Sequence, residues 1–183
     1  LYTWLFACTG ILVMLGCGAF ITRFGALRMT QMGCVLMAIG LAVMTLTTTP
    51  VPLAIALLAL VAGLVSMGAT VSTPASSQIL ARYAPARWAP LVFSVKQAGV
   101  PLGVALAAFL APILTTWVGW RGASLILAAT ALVIAFALEP CRQEFDKDRK
   151  PRHPLTLSSA RETFLAVLDR PGLRMLATTA FAF

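Results

Sequence analysis

The chain has 183 residues, 60% of them hydrophobic and only 11% charged, with a net charge of +8 and a mean hydropathy of +0.90. A soluble domain carries about 25% charged residues, so this composition excludes a water-facing globular surface and points to an all-α, polytopic transmembrane bundle. The positive balance does not indicate a nucleic-acid partner, because the first half holds only isolated arginine pairs, and basic loops between apolar spans are the ordinary membrane pattern.

A bilayer core takes about 20 apolar residues per helix. Residues 1–22 carry no charge and form the first expected span. The stretch GAFITRFGALR, Gly18 to Arg28, then places Arg23 and Arg28 in a short gap broken by Gly25. No charge occurs from Met29 to Ala81, a length suited to two helices. TTTPVP, Thr47 to Pro52, divides it, since proline and clustered threonines suit a turn, and spans are expected at 29–46 and 53–80.

ARYAPARWAP, with Arg82 and Arg87, makes the next polar loop, 81–90. A fourth span follows at 91–116. It is closed by WVGWRG, in which Trp117, Trp120 and Arg121 read as interfacial anchors. A fifth span is expected at 122–138.

Composition then changes. Glu139 to Arg174 holds all six acidic residues and eight of the fourteen basic ones. Within this linker, 139–172, Ser159 and Glu162 stand in capping-box spacing. Leu165 and Leu168 share one face of a short helix ended by Pro171 and Gly172. An amphipathic helix on the bilayer surface and a plain linker helix are both consistent with it. Residues 173–183 begin another apolar segment, and with both ends apolar the chain reads as part of a longer protein.

Basic loops stay on the cytoplasmic side. The gaps at 23–28, 81–90 and 139–172 are basic, whereas Thr47–Pro52 is uncharged and Trp117–Arg121 holds one arginine. This alternation makes the first span run from outside to inside a cell membrane, with the lipid bilayer as constant partner. Cys8, Cys17 and Cys34 lie in apolar runs and Cys141 in the charged region, without CxxC or Cys/His spacing. His153 reads as solvated. No metal and no cofactor are expected.

Three groups of residues are candidates for function. Ser66, Thr70, Thr73 and Ser77 are spaced i, i+4, i+7, i+11 on one face of the third span, with Pro74 among them. Polar groups in a bilayer core need partners, so this face should meet protein or a water-filled cavity. The bland alternative is bonding back to the helix's own carbonyls. Gly99 and Gly103, with Pro101 between them, suggest a close, deformable helix contact, static packing or a dimer motif.

Lys96 is the one charge well inside an expected span, about 8 Å in from its start. A lysine at mid-helix costs about 2.5–3.5 kcal/mol on insertion scales, so it reaches back to the interface, pairs structurally within the bundle or, with Gln97, holds an anionic solute. No acid lies in residues 1–138. No nucleophile–base pair and no phosphate-binding loop occurs in the spans, so an enzyme is not expected.

GAFITRFGALR resembles the loop 2–3 signature of the major facilitator superfamily, with Gly18, Arg23, Gly25 and Arg28 in place. Thr22 stands where the pattern has aspartate, and Ala26 and Leu27 stand where basic residues often sit. SVKQAGVPLGVALAAFLAP followed by GWR is similar to the fifth helix of bacterial members. The charged region resembles the linker between the two six-helix halves, and LDRPGLRMLATTAFAF resembles the start of helix 7. The resemblance implies helices 2–6 and the beginning of helix 7 of a secondary transporter, with the remaining helices as partners. It also implies a small-molecule substrate, with a coupling ion, moved by alternating access. Helices 1 and 4 would line the cavity and helices 2 and 5 would meet the other half. The acid missing at Thr22 implies that the lock it usually provides is weaker or built otherwise. An organic anion is the substrate class that Lys96 suggests. A membrane sensor on the same bundle and a non-functional truncated piece are the rival readings.

Overall fold

The computed structural model describes residues 2–47, 51–147, 149, 172 and 175. They form α1 (Tyr2–Phe24), α2 (Ala26–Met44), α3 (Val51–Tyr83), α4 (Ala89–Ala137) and the one-turn α5 (Arg142–Phe145), with no strand among them. The expected linker helix with Ser159 and Glu162, His153, and most of the segment after Pro171 lie outside the described residues, as do residues 48–50 of the second gap.

Helices are what these sequences permit in lipid, where every backbone N–H and C=O must be satisfied within its own segment. α2, α3 and α4 are long and apolar enough to cross a bilayer. α1 is bent by 57° between Tyr2–Met14 and Gly16–Phe24, and is a fourth such element when both parts are taken as one span.

Two of the breaks are made by glycine, at Gly25 and Gly119. Gly25 alone joins α1 to α2, with φ +98° and ψ 151°, a region open to glycine and strained for residues with a Cβ. α4 has 49 residues, about 74 Å if straight, more than twice the ~30 Å hydrocarbon core. It is interrupted at Gly119, with φ +70° and ψ 167°. The chain doubles back there. Lys96 in the first limb contacts α3 near its last turns, and Ala135 in the second limb contacts α2 near its start. Both places are at the end of the bundle that carries Gly25, termed the basic end below.

α2 is the central element, antiparallel to α3. At their crossing a Cβ on Gly33 would lie 2.7 Å from the Gly68 carbonyl oxygen, and a Cβ on Gly68 would run into the Gly33 carbonyl. The two backbones are therefore in direct contact. Without a hydrophobic force between helices in lipid, such close approach is a main source of association. Higher up, Gly40 admits Val65 in the same way. On its other side α2 receives the second limb of α4, whose Ala123, Ser124, Ala128 and Ala135 are buried. α1 runs along α3, and Cys17, Ile21, Ala26, Met29, Val71 and Ala75 form a buried apolar cluster between α1, α2 and α3. The first limb of α4 is exposed along almost its whole length.

Candidate functional site

The polar face of α3 is divided by height. Ser66 is 0% exposed, and its hydroxyl donates to the Phe6 carbonyl of α1 at 2.6 Å. The Thr70 hydroxyl lies 3.2 Å from where a Cβ on Gly10 would sit. These two residues face α1, so the expected continuous cavity wall does not include Ser66. One turn further on the face meets α4. Lys96 donates from Nζ to the Thr73 carbonyl at 3.0 Å and to the Ser77 hydroxyl. The Thr73 carbonyl also accepts the hydroxyls of Ser76 at 3.0 Å and Ser77 at 2.9 Å.

Pro74, inside α3, removes one backbone donor at this level. Around it lies an open cavity of about 480 Å³ lined by Ser72, Thr73, Ser76, Lys96, Gln97, Gly99 and Val100. Among the described residues its lining has one cation, several hydroxyls, an amide and no acid. Such a set can bind an anion through the ammonium and orient it through the neutral donors.

Of the candidate residues, the structure thus brings together Lys96, Gln97 and Thr73, and separates Ser66 and Thr70 from them. Gly99 borders the same cavity. A Cβ at Gly99 or Gly103 would meet nothing within 4 Å among the described residues, so within this bundle no close helix contact involves them. Pro101 lies within the same exposed stretch of α4. The close contact is at Gly33 and Gly68 instead.

A reactivity contrast follows from this division. Single cysteines replacing Thr73 and Ser66 should differ at least tenfold in their rate with a small hydrophilic thiol reagent, Thr73 being fast. Equal rates would remove the assignment of an open cleft at α3 and α4.

The glycine–arginine turn is the second cluster. The Thr22 hydroxyl bonds back to the Gly18 carbonyl at 2.9 Å, and Arg23 lies over the Phe24 ring at 5.6 Å. α2 begins at Ala26 without any cap from Gly25. Its free N–H groups are met from far along the chain: the Asp146 carboxylate accepts Leu27 N–H at 2.9 Å and Arg28 N–H at 3.0 Å.

Beside it, Glu139 accepts Gln31 Nε2 at 2.9 Å and Arg142 at 2.6 Å, with Arg28 at 3.7 Å. Gln31, 5% exposed, also donates to the Ala135 carbonyl at 3.0 Å. Asp146, Glu139 and Gln31 were not among the expected site residues. Asp146 bonds to backbone groups that leave no trace in side-chain spacing, so no sequence signal could have found it. Gly33 and Gly40 do carry a signal, since residues seven apart share a helix face.

Comparison with known proteins gives one result: the family model described as Major Facilitator Superfamily matches residues 1–183. No curated protein and no solved structure matches.

Proposed function

The chain belongs to the Major Facilitator Superfamily, a family of membrane transporters, and from that premise we propose that it serves secondary active transport of a small organic anion by alternating access. The observation that carries the substrate class is the uncompensated Lys96. Among the described residues its ammonium is held by the Thr73 carbonyl and the Ser77 hydroxyl, and no carboxylate lines the cavity. A buried or half-buried cation calls for a counter-charge, and a carboxylate or similar solute supplies one that can leave.

In this reading α3 and the first limb of α4 form one wall of a central site between two bundles that rock about it. No acid lies in residues 1–138, so a coupling proton or cation would be handled by other parts of the transporter. The basic turns at Arg23–Arg28 and Arg82–Arg87 face the cytoplasm, following the positive-inside rule.

The test is uptake by the full-length protein in proteoliposomes, with labelled small carboxylates set against uncharged analogues of the same size. Saturable uptake and counterflow of a carboxylate, with little of the neutral analogue, is the expected result. Preference for the neutral analogue would discard the anion, and absence of saturable flux for either class would discard small-solute transport. Orientation is tested separately with an impermeant thiol reagent on intact cells. A cysteine at Thr48 should be labelled about tenfold faster than one at Ala84, and the reverse order would invert the topology.

A further inference from the structure

We propose that the segment 139–147 is a releasable strap across the basic end of the bundle, and that Asp146 is its catch. The inference goes beyond the transport reading and stands without it. In an ordinary N-cap, the side chain of the residue before the helix accepts the N–H groups of the second and third helical residues. In α2 these are Leu27 and Arg28, and the residue before the helix is Gly25, which has no side chain to offer. The Asp146 carboxylate takes both bonds. It occupies the space where a Cβ of Gly25 would be, with its own Cβ 2.7 Å from that point. Glycine at 25 thus admits a cap delivered by a residue 119 positions beyond Leu27.

The strap is also tied at its start, where Glu139 accepts Gln31 Nε2 at 2.9 Å and lies 3.7 Å from Arg28, and its middle is held more lightly. The Tyr83 hydroxyl donates to the Glu144 carbonyl at 3.1 Å, and the Tyr83 and Phe145 rings meet edge to face at 4.9 Å. Both Tyr83 and Glu144 are exposed. Asp146, 8% exposed, is the buried tie. Beneath the strap lies a cavity of about 310 Å³, bounded by Thr22, Gly25, Gln78 and Arg82 on the bundle side and by Phe145 and Asp146 on the strap side.

The size of the contact suits a catch better than a weld. An N-cap biases a local equilibrium by about tenfold, enough to favour one arrangement and little enough to be broken within a working cycle. Both bonds engage the backbone, so the catch depends on where α2 starts and is indifferent to the side chains of Leu27 and Arg28.

The experiment reads distances in the full-length protein, with its native cysteines replaced and spin labels at Val35 on α2 and Lys147 on the strap. The unmodified protein should show one dominant distance. Asp146→Ala should raise a longer-distance population by about tenfold. Asp146→Asn, which retains a capping oxygen, should stay within about threefold of the unmodified protein. A single unchanged distance in Asp146→Ala would make the residue a static cap and overturn the strap. Equal opening in both variants would overturn the cap as its catch.

Hydrogen exchange of the unmodified protein gives a second reading that needs no variant to fold. The Leu27 and Arg28 amides should exchange by local opening, well ahead of those in the middle of α2. Exchange as slow as the middle of α2 would mean that the strap does not open, and would overturn the proposal.

Discussion

Gly68→Leu is expected to prevent α2 and α3 from closing, with loss of most of the folded protein. A side chain at this position begins against the Gly33 carbonyl and 2.6 Å from Cγ of Met37. Methionine can swing aside, but a backbone carbonyl cannot, so the helices must part along the crossing. Overpacking a tight interior costs about 1–3 kcal/mol and occasionally more, and here the upper end applies because the displaced partner is main chain. Close packing is also the chief attraction between helices in lipid, so separation removes stabilisation as well as adding strain. Against a total of about 5–15 kcal/mol, a loss of about 3 kcal/mol or more should show as a collapse in monodisperse yield and a large fall in the midpoint of detergent-induced unfolding. Gly63→Leu supplies the comparison on the same helix. A Cβ there meets nothing within 4 Å, and the midpoint should move little. Similar behaviour of the two variants would mean that the glycine crossing is not where the helices are held.

Lys96→Gln is expected to raise the KM for a transported anion by between about ten- and a hundredfold while leaving a neutral solute nearly unaffected. A hydrogen bond to a charged group contributes about 1.5–3 kcal/mol, and each 1.4 kcal/mol is about tenfold in affinity. Glutamine can still reach toward the Thr73 carbonyl, so α3 and α4 keep a polar contact and the effect isolates charge. Lys96→Arg preserves charge but presents a planar fork in place of a compact ammonium, and partial transport is expected. A rise in KM with unchanged kcat would mean that the charge is used equally in binding and in the transport step. An unchanged KM for a transported anion in Lys96→Gln would reduce Lys96 to an anchor between α4 and α3.

Much of the helix pattern was legible because lipid imposes it. An uncharged run, a proline-bearing gap and a pair of arginines each have one reading when the backbone must satisfy itself. The break near WVGWRG was legible for the same reason, and the structure locates it at Gly119. The site was only partly legible. The spacing of Ser66, Thr70, Thr73 and Ser77 correctly gives one face of a helix. It does not say which neighbour covers each height, and α1 takes Ser66 while α4 takes Thr73. Gly99 and Gly103 carried the familiar spacing but lie open, whereas Gly33 and Gly68, on different helices, make the contact. A pair of residues brought together by tertiary packing has no shared period to read.

The cap on α2 also orders events during synthesis. Leu27 and Arg28 are made long before Asp146, which follows Leu27 by 119 residues. At about 5–20 residues per second, the start of α2 waits roughly 6–24 s for its carboxylate. During that interval the turn at Gly25 has no side chain of its own to close it, and water or lipid headgroups must serve its amides. The α1–α2 pair therefore enters the bilayer with a provisional junction. The junction becomes final only once Asp146 has been made, so a segment that follows α4 fixes where α2 begins.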